Sequence, residues 1–268
     1  MNKLLNITRF IFNAKLTNYI LKITNRIYLK GNFKTWNEAL EISEDNYFSK
    51  KIFKKIKINF IKSLKSSHTF ERDGVILSKK KNNEDNIIKY YKFFFKKNRN
   101  ICRILDIGGG TGSIYFKNID FIRTKKNLSW LVYEQKKLVS FLKKNIKIEQ
   151  INFTSNLSNK YVNKFKIILM QSSLQYFSNP YNLLKRLCSL RPNFILIDET
   201  PFTSKTFDQI KIQVVPKKIY STEYPLYIFS QKKMITFLKK KNYTLLDKKN
   251  CPQGIGGYNY KCLLFKKD

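Results

Sequence analysis

The stretch Arg103-Ile104-Leu105-Asp106-Ile107-Gly108-Gly109-Gly110-Thr111-Gly112-Ser113 decides the fold of this 268-residue chain. Its apolar first half predicts a buried strand, and the glycines predict a tight turn into a helix. Glycine adopts positive φ and leaves backbone N–H groups open to a ligand. The spacing G-x-G-x-G after an acidic residue differs from the G-x-G-x-x-G of dinucleotide-binding loops, and no Lys-Ser/Thr follows it as in a P-loop.

A second carboxylate stands at an informative distance from this loop. Ser129–Glu134 predicts a short buried strand that ends in an acid, and Glu134 lies 22 residues after Gly112. An offset of about 20 residues places such an acid at the ribose hydroxyls of a bound nucleotide. A carboxylate accepts two hydrogen bonds from a cis-diol. Together the two features resemble motif I and the following acid of class I S-adenosylmethionine (SAM) methyltransferases.

The rest of the chain predicts an α/β fold: a Rossmann-like, mostly parallel sheet of seven strands. The predicted strands are 103–107, 130–134, 148–152, 166–171, 194–198, 243–247 and 258–266. A glycine turn at 254–257 joins the last two, so the last strand should run antiparallel. We expect residues 1–98 to form a mainly helical accessory or lid segment and residues 99–268 the SAM-binding domain. Residues 201–230, with three prolines, predict an irregular insertion in that domain.

Further segments resemble one family of bacterial methyltransferases associated with surface-polysaccharide (O-antigen-type) biosynthesis genes. They are Glu71–Val75, Ser172–Tyr176, Ile197–Phe202, Gln213–Pro216 and Tyr224-Pro225. The resemblance spans roughly residues 33–260. It implies SAM-dependent methyl transfer, with a sugar or another small hydroxyl-bearing intermediate of surface-glycan biosynthesis as acceptor. Glu223 departs from the family pattern, which leads us to expect a serine there.

The resemblance also implies which residues hold the cofactor. They are Asp106, Gly108, Gly109, Gly110, Gly112, Glu134, Gln135, Gln171 and Ser172. The glycine backbone would line the methionine and ribose parts of SAM, and Asp106 would organise the loop or reach the amino group. Glu134 would hold the ribose diol and Gln135 would flank the adenine. Gln171 and Ser172 would face the region where cofactor and acceptor meet.

A hydroxyl acceptor needs a base or strong positioning. His68, the only histidine, is either a general base or an ordinary surface histidine. Arg72, between Glu71 and Asp73, forms either a structural ion pair or a clamp on the acceptor. This charged cluster ends in glycine, and its segment is a candidate lid over the cofactor. The predicted catalytic residues are therefore His68, Arg72 and Asp73.

The net charge of +35 suggests a nucleic-acid partner, but only 8 of the 53 basic residues are arginine and the lysines are spread along the chain. Phosphate and base recognition favour arginine, so we expect a small-molecule or glycan acceptor instead. Four cysteines without a C-x-x-C pair, beside one histidine, exclude a conventional zinc site. They predict a reducing cytoplasm.

Residues 1–30 are basic and carry apolar residues at helical spacing, which predicts an amphipathic helix. It either packs on its own domain or makes peripheral contact with an anionic membrane. Two other functions stay open at this point. One is an RNA or DNA methyltransferase, and the other is a non-catalytic Rossmann-like binding protein that docks on a membrane or a glycan-assembly complex.

Overall fold

The computed structural model of the protein describes residues 19–22, 24, 26–43, 50–79, 84–95, 101–216, 221–252 and 254–268. Its strands are β1 (Tyr28–Phe33), β2 (Thr69–Arg72), β3 (Val75–Ser78), β4 (Cys102–Ile107), β5 (Leu128–Tyr133), β6 (Ile151–Thr154), β7 (Ile167–Gln171), β8 (Phe194–Thr203), β9 (Gln209–Val215), β10 (Thr222–Ser230), β11 (Tyr243–Asn250) and β12 (Asn259–Lys267). Its α-helices are α1 (Trp36–Ile42), α2 (Lys50–Ser63), α3 (Asn86–Phe95), α4 (Ser113–Lys117), α5 (Ile119–Arg123), α6 (Lys136–Asn145), α7 (Pro180–Ser189) and α8 (Gln231–Lys239). Short 3₁₀ turns cover Asn159–Tyr161 and Leu174–Tyr176.

Ten strands form one sheet, and seven of them make up its larger part, the main sheet, in the order β6-β5-β4-β7-β8-β12-β11. The other three, β10, β9 and β1, extend it from the end of β8. The strands from β6 to β8 pair in parallel, whereas β12 runs antiparallel to both β8 and β11. The predicted Rossmann-like, mostly parallel sheet with an antiparallel last strand is confirmed. The third strand begins at Ile151 rather than at residue 148, because Ile148 accepts a backbone hydrogen bond from Ile151 and closes a turn there.

Both faces of the main sheet are covered, which explains why its strands are continuous apolar runs. Successive residues of β4 point to opposite faces. Ile104 packs in the cluster built with α2, α3, α4 and α6, and Leu105 packs in the cluster built with α7 and α8. The strand ends of a sheet covered in this way remain the natural place for a ligand.

The expectation of an irregular insertion at 201–230 is wrong. These residues form the end of β8, β9 and β10, and β10 pairs with β9 and with the end of β8. The three prolines misled the prediction. Pro225 lies inside β10, opposite Ile212 of β9. Pro201 lies beyond Asp198, the last residue of β8 that β7 pairs with, and Pro216 directly follows β9.

The N-terminal segment joins the same architecture. Strand β1 pairs antiparallel with β9, so the sheet β1-β9-β10 combines both predicted segments. Most of the predicted helix over 1–30 lies outside the described residues, but residues 28–30 belong to β1, since their backbone pairs with residues 212–214. The division at residue 98 stays a prediction.

Strands β2 and β3 form a separate two-stranded hairpin. Its turn is Asp73-Gly74, and β2 packs against α2 and α4. Since α4 directly follows the glycine loop, the hairpin lies beside that loop.

In the part of the chain that the structure describes, no helix has the length and apolarity needed to span a bilayer.

Candidate active site

A cavity of about 960 Å³ opens at the carboxyl edge of the main sheet. The residues that directly follow β4, β5, β6 and β7 all line it: Gly108, Glu134, Ser155 and Ser172. Open α/β sheets bind ligands at this edge, where the strand order reverses beside β4. The predicted cofactor residues that line the cavity are Asp106, Gly108, Gly109, Gly110, Glu134, Gln135, Gln171 and Ser172. Gly112 lies outside the lining.

The glycine loop turns its open side toward the cavity at Gly110. Gly108, Gly110 and Gly112 all have positive φ (65°, 58° and 86°). A Cβ on Gly108 would lie 2.9 Å from Ser173 Cβ, and one on Gly112 would lie 2.8 Å from Ile151 Cδ1. A Cβ on Gly110 would meet nothing nearer than Ser113 Oγ at 3.9 Å. A side chain at Gly108 would therefore clash with Ser173, and one at Gly112 would require the end of the Ile151 side chain to shift, whereas Gly110 leaves space that a ligand can fill.

Asp106 lies beneath this loop. Its side chain is buried, and its Oδ2 accepts a hydrogen bond from the indole Nε1 of Trp130 at 3.0 Å. A Cβ on Gly109 would come within 2.4 Å of the same oxygen. Burial raises the pKa of Asp106 to about 7, although the indole hydrogen bond favours the ionised form. Of the two roles left open by the sequence, this geometry supports organisation of the loop.

Glu134 closes the loop from the neighbouring strand. Its Oε2 accepts a hydrogen bond from Gly110 N at 3.2 Å, and its Oε1 accepts one from Gln135 N at 2.8 Å. Burial raises the pKa of Glu134, against the effect of these two hydrogen bonds. Each carboxylate oxygen keeps a further lone pair. The side chain can therefore accept two ligand hydroxyls while it holds the loop.

Glu71 ties the β2–β3 hairpin to the glycine loop. Its Oε1 accepts a hydrogen bond from Gly74 N at 2.5 Å, and its Oε2 accepts one from Thr111 Oγ1 at 2.5 Å. The carboxyl group is buried, and this burial raises its pKa to about 7 despite the two donors. Glu71 thus fixes the hairpin turn next to the loop.

Arg72 links the same hairpin to Glu199 of β8. Its Nη2 donates to Glu199 Oε2 at 2.9 Å, and the Ser172 hydroxyl donates to that oxygen at 3.0 Å. Burial opposes the charge of Glu199, but Arg72 outweighs it and holds the pKa of that carboxyl below its usual range. Arg72 and Asp73 line the cavity. Arg72 therefore forms its close ion pair with Glu199, a residue distant in sequence from the Glu71–Asp73 cluster, and its Nε lies 4.0 Å from Asp73 Oδ2.

Strained backbone accompanies this network. Asp73, Ser172 and Glu199 adopt positive φ of 52°, 51° and 44°. The register between β8 and β12 shifts where Asp198 and Glu199 lie, so β8 contains a bulge there. A bulge redirects side chains, and this one coincides with the contact from Glu199 to Arg72. Such strain costs about 1–3 kcal/mol per residue and clusters at functional sites.

His68 takes no part in this arrangement. Its side chain is exposed, it precedes β2, and it does not line the cavity. Its backbone oxygen accepts a hydrogen bond from Lys79 N across the open end of the hairpin, opposite the turn that carries Arg72 and Asp73. The hairpin therefore brings Arg72 and Asp73 to the cavity and leaves His68 at its far end.

The opposite wall of the cavity is formed by β9, β10, the 3₁₀ turn Leu174–Tyr176 and α1. The described residues that line this wall are neutral, and we call it the neutral wall. Tyr176 Oη donates to Gln213 Oε1 at 3.0 Å, and Gln213 Nε2 donates to Tyr224 Oη at 2.7 Å. The two tyrosine rings meet edge to face, with centroids 5.3 Å apart. Trp36 and Leu40 of α1 complete this wall. Among the described lining residues, the charged ones lie on the hairpin turn or at β4 and β5 and the loops after them: Glu71, Arg72, Asp73, Asp106, Glu134 and Lys136.

Sequence reasoning assigned no role to several lining residues, including Thr111, Ser155, Gln175 and Gln213. Gln213 belongs to an alternating strand pattern in which polar residues normally face solvent, yet it is buried. Strand β9 lies between β1 and β10 in the folded chain, and Tyr176 and Tyr224 contact the Gln213 side chain. Gln213 is therefore buried by contacts that its local sequence does not reveal. Ser155 had a usable signal, because it directly follows a strand of the parallel sheet.

No family profile and no curated protein matches this chain. Solved structures do resemble it. A Burkholderia thailandensis 1,6-didemethyltoxoflavin-N1-methyltransferase with bound S-adenosylhomocysteine is 15% identical, with a TM-score of 0.45, over 63% of this chain and 72% of that one. Magnesium protoporphyrin IX methyltransferase from Synechocystis with bound SAM is 12% identical, with a TM-score of 0.47, over 69% and 77%. A Methanosarcina mazei SAM-dependent methyltransferase is 13% identical, with a TM-score of 0.48, over 69% and 98%.

Proposed function

We propose that this protein is a SAM-dependent methyltransferase that acts on a small molecule. The observation that carries the proposal is the opening at Gly110 beside the Glu134 carboxylate, in a cavity at the carboxyl edge of the sheet. The opening lets a ligand approach the loop backbone, and the carboxylate suits a ribose diol. The two lie together because Glu134 itself accepts a hydrogen bond from Gly110 N.

The remaining residues fit this cofactor. Asp106 holds the loop from below, and Gln135 lies after Glu134 where an adenine would pass. Gln171 and Ser172 lie at the end of β7, between the cofactor side and the opposite wall. Bound SAM supplies an already activated methyl group. The protein then has to align the acceptor and exclude water.

The cavity has room for both reactants. Its volume of about 960 Å³ lies at the upper end of the range of about 300–1,000 Å³ for small-molecule sites. The neutral wall of Trp36, Tyr176, Gln213 and Tyr224 offers ring faces and hydrogen-bonding groups to an uncharged acceptor. We extend the proposal to a sugar or another hydroxyl-bearing intermediate of surface-glycan biosynthesis, which such a wall suits.

Arg72 and Asp73 remain the proposed catalytic residues, because both line the cavity. Arg72 would orient the acceptor while Glu199 holds its guanidinium in place. The exposed position of His68 gives it no route to an acceptor in the cavity, so we omit it as general base.

We also propose a reducing, cytoplasmic location, which the four cysteines without a disulfide bond support.

Thermal unfolding with S-adenosylhomocysteine, NADH and buffer tests the cofactor. A ligand at 100 times its Kd that binds only the folded state adds about 2.7 kcal/mol to the free energy of unfolding. We expect S-adenosylhomocysteine alone to raise the Tm, and Glu134→Ala to reduce the shift. A shift with NADH alone, or none with either ligand in folded protein free of cofactor, contradicts the proposal.

A further inference from the structure

The two edges of the main sheet differ in charge. The edge at which β4 to β8 begin lies opposite the cavity, and we call it the amino edge. Strand β11 also begins there, because β12 runs antiparallel to both β8 and β11. The connections that enter β5, β6, β7, β8 and β11 at this edge are residues 124–127, 146–150, 162–166, 190–193 and 240–242. They carry one acid, Glu149, and eight basic residues: Lys125, Lys126, Lys147, Lys164, Lys166, Arg191, Lys240 and Lys241.

The carboxyl edge shows that this asymmetry is not a consequence of a lysine-rich composition. The connections that leave β4, β5, β6 and β7 there, together with the turn between β11 and β12, are residues 108–112, 134–135, 155–158, 172–173 and 251–258. By sequence, Glu134 is the only charged residue among them. A general bias toward lysine would act on both edges alike. The fold therefore gathers at one edge cations that are spread along the sequence.

The basic connections form one continuous row. Backbone hydrogen bonds join neighbouring strands and connections from β6 to β11: Trp130 N to Gln150 O, Cys102 N to Asn127 O, Lys166 N to Arg103 O, Phe194 N to Lys166 O, Lys267 N to Asn193 O and Asp268 N to Asn242 O. Six spacings of about 4.8 Å between adjacent strands make this row about 29 Å long.

The cations of the row have no acidic partners. Five of the eight side chains are exposed and the other three are partly exposed. Among the residues that the structure describes, none of the eight forms an ion pair with an acid. Cations in such a row repel one another, and an anionic surface relieves that repulsion.

Two exposed apolar side chains accompany the row. Ile101 directly precedes β4 and is 58% exposed, and Phe93 of α3 is 81% exposed. The Phe93 ring meets the ring of Phe94 edge to face, and Phe94 stacks on Phe194, the first residue of β8, with centroids 4.5 Å apart. Phe93 therefore lies close to the amino edge. An exposed aromatic ring beside lysines suits the headgroup region of an anionic bilayer.

We propose that the amino edge docks this protein on an anionic lipid bilayer, with the lysines at the headgroup phosphates and Phe93 at the acyl boundary. The inference does not depend on the proposed function. Seven of the eight basic residues are lysine. Attraction to a bilayer depends on charge alone, whereas nucleic-acid recognition favours the arginine fork. Docking by this edge leaves the cavity, at the opposite edge, open to small molecules.

Co-sedimentation of the full-length protein with lipid vesicles tests the proposal. The vesicles contain phosphatidylcholine alone or an equimolar mixture of phosphatidylcholine and phosphatidylglycerol. We expect binding to the mixed vesicles to be at least about tenfold tighter and to weaken as salt is added. Equal binding to both vesicles, or binding to neither, overturns the proposal.

A pair of variants with matched charge then assigns the binding to the amino edge. The edge variant replaces one exposed lysine in each of four connections by glutamine: Lys126, Lys147, Lys164 and Lys240. The control variant makes the same replacement at four exposed lysines outside this edge: Lys54, Lys205, Lys232 and Lys248. Each basic residue near an anionic bilayer contributes about fivefold to affinity. We expect a loss of at least about tenfold in the edge variant and of less than about threefold in the control. Equal losses in both variants, or no loss in the edge variant, overturn the assignment.

Phe93→Ser and an RNA hairpin distinguish a bilayer from a nucleic acid. Because Phe93 is exposed, its replacement should leave the Tm unchanged and weaken binding to the mixed vesicles. Tighter binding to the RNA hairpin than to the mixed vesicles at the same salt, with neither affinity changed by Phe93→Ser, overturns the proposal in favour of a nucleic-acid partner. The edge variant should keep the Tm shift with S-adenosylhomocysteine. Absence of that shift in the wild type contradicts the proposed function and leaves the vesicle test unaffected.

Discussion

Replacing Gly110 by alanine separates ligand binding from folding. The new methyl group would have no protein atom closer than Ser113 Oγ at 3.9 Å, so it would cause no steric clash within the protein. The cost to folding comes from the backbone alone, because φ is 58° at this position. An alanine in the left-handed region costs roughly 1–2 kcal/mol. For a protein of this size we expect the Tm to fall by about 2–4 °C per kcal/mol.

The same methyl group would occupy the space that we assign to the cofactor. We therefore expect the Kd for S-adenosylhomocysteine, measured by titration calorimetry, to rise at least tenfold, or about 1.4 kcal/mol. Gly112→Ala is the matched comparison. Its Cβ would lie 2.8 Å from Ile151 Cδ1, the end of a flexible side chain that can shift, so this contact adds little to a similar backbone cost.

Urea unfolding should therefore give similar losses of unfolding free energy for the two variants, whereas calorimetry should separate them. Folded Gly110→Ala should lose more affinity than Gly112→Ala, because Gly112 lies outside the cavity lining. Binding by folded Gly110→Ala within twofold of the wild type would refute the assignment of this opening to the cofactor.

Three further predictions concern the charged groups. Glu134→Gln replaces one acceptor oxygen by an N–H donor that faces a backbone N–H or a ligand hydroxyl. The Kd for S-adenosylhomocysteine should therefore rise about 10- to 100-fold in calorimetry. An unchanged Kd would contradict the proposed role of Glu134 in cofactor binding. Burial raises the pKa of Glu71 from 4.5 to about 7, so the folded state binds more protons than the unfolded state between these values. Its contribution to the unfolding free energy is therefore full below pH 4.5 and is lost as the pH rises through 7. In Glu71→Gln, the unfolding free energy measured with urea should therefore differ less between pH 5 and pH 8 than it does in the wild type. An equally large fall between these pH values would show that other groups cause the pH dependence. Arg72→Gln leaves the Glu199 carboxylate without its cation and should lower the unfolding free energy by about 3 kcal/mol in urea unfolding. Adding Glu199→Gln to this variant should recover part of the loss. Losses that simply add in the double variant would argue against coupling between the two residues.

Local sequence was sufficient for the cofactor side of the site. The glycine loop and the acid at the end of the next strand are separated by a single strand–helix–strand unit, and parallel pairing of β4 with β5 brings their ends together. Asp106, Glu134 and Gln171 were assigned in this way, because each stands at or near the carboxyl end of a recognisable strand, and all three line the cavity. The parallel pairing follows from the alternation of strands and helices, and the antiparallel β12 follows from the glycine turn before it.

The opposite wall of the cavity depended on contacts between segments distant in sequence. The 3₁₀ turn Leu174–Tyr176 and β10 meet only in the folded chain, where Gln175 is buried. Residues 201–230 form strands because β9 and β10 pair with each other, β9 also pairs with β1 from the N-terminal segment, and β10 also pairs with the end of β8. No periodicity within 201–230 identifies β1 as a partner.

The catalytic candidates show the same division. His68 and Arg72 are four residues apart in sequence, and nothing local distinguishes which of them reaches the cavity. The β2–β3 hairpin decides, because its turn carries Arg72 to the cavity while His68 remains at the open end. The bulge in β8 then places Glu199 against Arg72.

By itself the sequence determined the main sheet and the glycine loop, whose signals lie within short segments. Only the tertiary structure decided which charged and amide groups face the same cavity, because their positions depend on long-range pairing and on backbone strain at single residues.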